Sequence, residues 1–321
     1  MNHHEVFLSF KCYSGKCNSG FVINFLGAVT RREYLYCFSA DKSIPVSSKE
    51  EVMYTEYPAY SEGYFEWISI LQSAIQAKDK FTMFELGAGF GPHLVNACIA
   101  ARCYHGKHFP YNLVGVEAEP THFEWMKQNF IDNNIDPTKH QLINAAVFEK
   151  DGSIYFQVGF PTYYGNQIIY RALNFRNFIK EALFFFMPHR RNRIVSREIT
   201  VTDYLTGKKA TGIIRNEKVK VLSLSTLLRP FDYVDLIHAD IQGAEARVFK
   251  SAQRDIHKKV KRIHIGTHGS QIEDELRTLF NNLGWKCLYD YPNGQKCDTP
   301  YGTINFQDGV QVWFNQELRP L

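Results

Sequence analysis

The feature that most restricts this chain is the run Phe81-Thr82-Met83-Phe84-Glu85-Leu86-Gly87-Ala88-Gly89-Phe90-Gly91-Pro92, an apolar strand pattern that leads through three alternate glycines into an amphipathic segment. Glycine accepts positive φ without a Cβ clash and lets backbone approach a ligand closely, so the run predicts a strand, a tight turn and a helix start. Pro92 suits a first helical turn, where its missing N–H sacrifices no helical hydrogen bond. Further apolar runs follow at 112–117, 141–147, 233–239, 261–266, 285–289 and 310–314, and helical patterns run over 92–104, 121–133, 244–252 and 271–283. Short strands alternating with helices specify a parallel sheet with crossover connections. The expected fold is α/β, with a seven-stranded, mostly parallel Rossmann-like sheet over residues 79–321 and helices on both faces.

Residues 1–78 do not follow this rhythm and read as an N-terminal cap, with strand-like pieces at 21–25 and 34–38 and a helix over 64–76. A second interruption, 159–197, gathers Tyr163, Tyr164, Tyr170, Phe175 and Phe178 with six Lys or Arg between Arg171 and Arg193 against the single acid Glu181. It reads as a lid over a site or as a helical insertion packed on the body, with a membrane-surface patch through 171–193 as a further use. An apolar content of 45% with 22% charged residues is that of a globular protein. The net charge of +4 does not supply the gathered basic surface that nucleic acid requires. Residues 1–12 lack the pattern of a secretory signal, and no apolar stretch reaches the roughly 18 residues of a spanning helix, so a cytoplasmic chain is expected. Seven scattered cysteines without a CxxC pair argue against a disulfide framework or a structural zinc site.

An acid two residues before the first glycine adds chemistry to the turn. Dinucleotide enzymes set a diphosphate on the helix's positive end, where Glu85 would repel it. S-adenosylmethionine carries an ammonium and a sulfonium and no phosphate, so Glu85 beside Gly87, Ala88, Gly89 and Gly91 suits that donor. A second acid, Glu117, ends the next strand beside Ala118, where a carboxylate can accept from both ribose hydroxyls. Glu119 reads as a cap on the following helix. An NAD(P)-dependent oxidoreductase is the rival within this fold, disfavoured by Glu85 and by the GxGxG spacing.

With these residues in view, the chain resembles the FkbM family of methyltransferases. The likeness is carried by 85–91, 116–120, Asn144-Ala145-Ala146-Val147 and, above all, Val234-Asp235-Leu236-Ile237-His238-Ala239-Asp240-Ile241-Gln242-Gly243-Ala244-Glu245, and it spans about 80–290. The family's fourth strand typically reads DLLKIDVEGAE, so His238 and Gln242 depart from it while Asp240, Gly243 and Glu245 agree. The resemblance implies a class I methyltransferase fold and O-methylation of a sugar, polyketide or similar small hydroxylated acceptor, with S-adenosylmethionine as donor. It implies a place for Asp240, Gln242 and Glu245 at the donor site.

A hydroxyl is a poor nucleophile at neutral pH, so a base within hydrogen-bond reach is expected. Asp240 and His268, each at the carboxyl end of a strand, are the candidates, with a structural role as the alternative for His264 and His268. Asp240, Gln242 and His268 could instead surround a divalent ion, a weaker reading with one sure carboxylate. His238 is expected buried beneath the site; Ala145 and Ala146 are expected to flank the adenine, with core packing as the alternative, and Asn144 and Ala145 are counted among the donor-site candidates. The alternative from another class is a cofactor-binding or membrane-surface protein without catalysis.

Overall fold

The computed structural model describes residues 3–35, 51–161, 163–169, 196–202 and 209–318. Its centre is a seven-stranded sheet of β1 (Phe81–Leu86), β2 (Tyr111–Glu117), β3 (Gln141–Asn144), β4 (Leu236–Ala239), β5 (Arg262–Thr267), β6 (Lys286–Tyr291) and β7 (Gly309–Phe314). The strands lie in the order β6-β7-β5-β4-β1-β2-β3. Strands β1 to β5 pair in parallel, and β7 runs antiparallel to both β5 and β6. The order reverses between β1 and β4, and open α/β sheets take their ligands at the carboxyl ends beside such a reversal.

Every residue of β1 is buried, as a strand covered on both faces must be. Its alternation divides two cores. Phe84 and Leu86 join Ile237, Ala239, Ile263 and Ile265 under α4 (Glu245–Ser251) and α5 (Ser270–Asn282). Phe81 and Met83 join Leu236 and Val312 under α1 (Glu62–Gln76) and α2 (Pro92–His105), with Met126 and Phe130 of α3 (Pro120–Asp132). No helix among the described residues is long and apolar enough to cross a membrane.

The N-terminal segment shares the second core, through Val6, Phe7, Phe10, Phe25 and Leu26. Asn133, just beyond α3, fastens it: its side chain accepts from the Val29 N–H at 2.8 Å and donates to the Val29 carbonyl at 2.8 Å. Arg31 adds two bonds to Asp132, at 2.7 and 3.1 Å.

Two expectations are corrected. Tyr34 belongs to a 3-10 turn, Arg32–Leu35, rather than to a strand, because its buried ring stacks on Trp125 of α3 at 4.6 Å; residues 36–38 lie outside the described ones. The expected strand over 141–147 breaks at Ala145, whose N–H turns to the Glu117 carbonyl. Ala146–Phe148 then joins a second sheet built on Lys209–Ser223, with Ser196–Thr202 and Gly152–Val158. That sheet was not expected, although Lys218-Val219-Lys220-Val221 carries a strand's period-2 alternation. Residues 170–195, where the basic aromatic lid is expected, lie outside the described residues.

Asn133→Ala leaves both Val29 backbone groups unpaired and should lower unfolding free energy by about 1–3 kcal/mol in urea denaturation. Arg31→Ala removes an ion pair at the surface and should lower it by about 1 kcal/mol or less.

Candidate active site

Gly87, Gly89 and Gly91 all hold positive φ, at 76°, 52° and 70°. A Cβ on Gly87 would lie 1.9 Å from the Asp240 carbonyl oxygen, and one on Gly91 would lie 2.8 Å from Cγ of Met126. Two of the glycines are therefore required by packing between segments. At Gly89 the Tyr164 ring alone among the described residues comes within 4 Å of the position, at 3.4 Å. The Gly87 and Ala88 N–H groups both donate to the Val116 carbonyl at 3.0 Å, which ties the turn to β2.

The two acids expected at this turn point to different places. Glu85 is buried on the α1 and α2 side, where its carboxylate accepts from His93 Nδ1 at 2.7 Å and from the Leu94 N–H at 3.2 Å. The positive end of α2 is thus already met by a negative charge. Glu117 ends β2 and accepts from the Gly89 N–H and from the Glu119 N–H, each at 2.7 Å. Burial pushes its carboxyl above the ordinary value. Glu119 caps α3 through the His122 N–H at 2.8 Å, as its place before Pro120 predicts. Asn144 donates to the Glu117 and Ala118 carbonyls at 2.9 and 3.3 Å, and the buried Ala145 and Ala118 complete this seam.

The second group surrounds the end of β4. Asp240 donates its N–H to the Leu86 carbonyl at 3.0 Å, and its Oδ1 accepts from Gln242 Nε2 at 2.8 Å. Gln242 and Gly243 both take positive φ, which curls the loop around Glu245. The fully buried Glu245 carboxylate accepts from the Ile241 N–H at 3.2 Å, the Gly243 N–H at 3.1 Å and His268 Nδ1 at 2.9 Å. His268 Nε2 then faces Asp240 Oδ1 at 3.4 Å and Asp308 Oδ1 at 3.7 Å.

Burial alone would lower the His268 pKa. Its bond and charge pairing with Glu245, helped by Asp240 and Asp308, instead carry it up to about 9. Burial and the charges of Glu245 and Asp308 raise the Asp240 carboxyl, against the pull of His268. The Asp240 side chain keeps 40% exposure.

The residues singled out in the sequence therefore form two groups that touch where Gly87 meets Asp240. A divalent ion near Asp240 and His268 would find Glu245 as the third ligand, since atoms of these three lie within 4.8 Å of one another. Asp308 and Tyr164 were missed. Asp308 precedes β7, and only the Asp-Gly turn signal marks it. The Tyr164 ring stacks on His122 at 4.3 Å and its hydroxyl donates to the Tyr34 carbonyl, so it lies over Gly89. His238 is buried as expected, on the α1 side of β4.

Comparisons with known proteins give the family. A family model described as a methyltransferase FkbM domain matches residues 85–291, from Glu85 through the whole of β6. A curated relative from Jannaschia sp. (strain CCS1), whose name is a provisional methyltransferase assignment, is 27% identical over 229 residues, 71% of this chain and 70% of its own. Among solved structures, the methyltransferase FkbM from Methylobacillus flagellatus KT is 11% identical with a TM-score of 0.39, covering 80% of this chain and 55% of its own. Precorrin-6y C5,15-methyltransferase from Geobacter metallireducens GS-15 is 8% identical with a TM-score of 0.38, over 78% and 86%. The chain belongs to the FkbM family of S-adenosylmethionine-dependent methyltransferases.

Proposed function

We propose that the protein transfers a methyl group from S-adenosylmethionine to a hydroxyl of a sugar or other small hydroxylated metabolite, with Asp240 as the base. The observation that carries this reading is the Asp240 carboxylate: partly exposed, held by Gln242 and His268, and seated against the glycine turn. The donor fits the turn because Gly89 leaves its Cβ position open except for the Tyr164 ring, and Glu117 ends the strand beside it. In this reading Gly87, Ala88, Gly89 and Gly91 cradle the donor, Glu117 takes its ribose, and Ala118, Asn144 and Ala145 border its adenine. Glu85 and Glu245 spend their carboxylates on backbone and histidine, so they hold the two loops in place.

Bound S-adenosylmethionine supplies an electrophilic methyl group. The chain must bring the acceptor oxygen into line with it and take the hydroxyl proton as the new bond forms. Asp240 does the second. Its raised pKa makes it a stronger proton acceptor than a free aspartate. His268, up to about 9, is a cation at neutral pH and has no lone pair to offer, so it steadies Asp240. The bond from Gln242 orients the same oxygen.

Glu117→Ala should weaken S-adenosylmethionine binding in isothermal titration by more than about tenfold, since charge-assisted bonds to ribose would be lost; affinity within twofold of the parent refutes the ribose assignment. Asp240→Asn should lower kcat on the order of 10²-fold with donor affinity retained. A panel of sugars and phenols scored by S-adenosylhomocysteine release tests the acceptor class, and turnover confined to amine acceptors would refute it. His268 gives a pH signature. Because its folded pKa lies above the ordinary 6.5, its stabilisation is complete below 6.5 and is lost as pH rises through about 9. The stability advantage of the parent over His268→Gln should shrink by about 2–3 kcal/mol across that window in urea titrations.

A further inference from the structure

A second set of titratable side chains lies on the other face of the sheet, between β4 and the α1–α2 layer. Glu66 comes from α1, His93 from α2 and His238 from β4. One ligand atom from each lies within 4.8 Å of the others. Glu66 stands between the two imidazoles, with Oε2 3.0 Å from His93 Nε2 and Oε1 3.6 Å from His238 Nε2. The His93 and His238 rings face each other with centroids 4.1 Å apart. His238 is 3% exposed, yet neither of its ring nitrogens has a hydrogen-bond partner. A buried imidazole that has given up water, makes no hydrogen bond and stands 3.6 Å from the Glu66 carboxylate calls for a reason.

We infer that Glu66, His93 and His238 form a binding site for a divalent first-row transition cation of the zinc class. Two imidazoles and one carboxylate are a donor set that zinc and cobalt accept, with further positions left open. The outer contacts match as well. His93 Nδ1 donates to Glu85 at 2.7 Å, the carboxylate–histidine pairing that fixes a ligand ring and turns its Nε2 toward the ion. The cation would supply His238 with the partner it lacks. The two carboxylates of the cluster, Glu66 and Glu85, equal its charge.

Metal binding needs the His93 Nε2 lone pair free, so a proton on that atom would leave to solvent while Nδ1 stays turned to Glu85. Around the His93 ring stand Glu66 from α1, Glu85 from β1 and His238 from β4, with His264 from β5 one ring further, its centroid 5.2 Å from that of His238. The Glu66 side chain keeps 33% exposure and gives the ion a way in. The site is separate from Asp240, Glu245 and His268 and does not depend on the methyl-donor reading.

The test is a Co²⁺ titration of the full chain after EDTA treatment, followed by the visible absorption of the bound cobalt and by Tm. The expected result is one equivalent of Co²⁺, a raised Tm, loss of both signals in His238→Phe and in Glu66→Gln, and their retention in His268→Gln. His238→Phe removes two unpaired buried nitrogens, so the metal-free variant should melt no lower than the metal-free parent, which separates a lost ligand from a lost fold. The inference is overturned if the folded parent binds no Co²⁺ at stoichiometric concentration. It is also overturned if binding survives in folded His238→Phe, or if His268→Gln alone abolishes it.

Discussion

The approach of the turn after β1 to the end of β4 sets the geometry of everything else. At Gly87 a single added carbon would come within 1.9 Å of the Asp240 carbonyl oxygen, so the two loops can lie against each other only if that residue has no side chain. The Asp240 N–H bond to the Leu86 carbonyl holds the approach from the other side. The glycine turn and the Asp240 carboxylate are thereby brought into one crevice. Gly91 performs the same task toward α3, where Met126 occupies the space of its missing Cβ.

Strand alternation then separates two kinds of chemistry on one sheet. In register across β1, β4 and β5, Glu85, His238 and His264 lie side by side. The neighbouring row, Phe84, Ile237 and Ile263, is apolar and meets α4 and α5. The polar row is covered by α1 and α2, whose Glu66, Ser69 and His93 answer it. Buried polar groups are tolerated when they are paired, and here most are: His264 Nδ1 lies 2.9 Å from Ser69 Oγ, and Arg262 donates to Gln72 and Gln76. His238 departs from that pattern.

The sheet was legible in the sequence because each of its strands is a short apolar run bounded by turn residues, and periodicity reports that directly. The glycine turn, the acid ending β2 and the loop from Asp240 to Glu245 were legible because each group is local in the chain. What sequence could not show is contact across the fold. Asp308 reaches His268 from the segment before β7, and Glu66 reaches His93 and His238 from α1, with no motif linking them. The break at Ala145 was hidden for a similar reason: 141–147 reads as one strand-like run, and the choice of a second sheet after Asn144 is made by pairing with Lys209–Ser223. Glu85 shows a subtler gap. Its position beside the turn suggested a ligand contact, but the structure commits its oxygens to His93 and the first turn of α2.

Glu85 and Glu245 turn out to be the same device used twice. Each is a buried acid that accepts backbone N–H bonds at the start of a helix or loop and, with the same carboxylate, holds Nδ1 of a histidine. That arrangement fixes the ring and decides where Nε2 points. For His93 it points to Glu66, inside the layer under α1. For His268 it points to Asp240 and Asp308, whose side chains are 40% and 46% exposed at the crevice. The two histidines thus face carboxylates on different faces of the sheet. The same local chemistry fixes a histidine on each face of the sheet, once from within β1 by Glu85 and once from the first residue of α4 by Glu245.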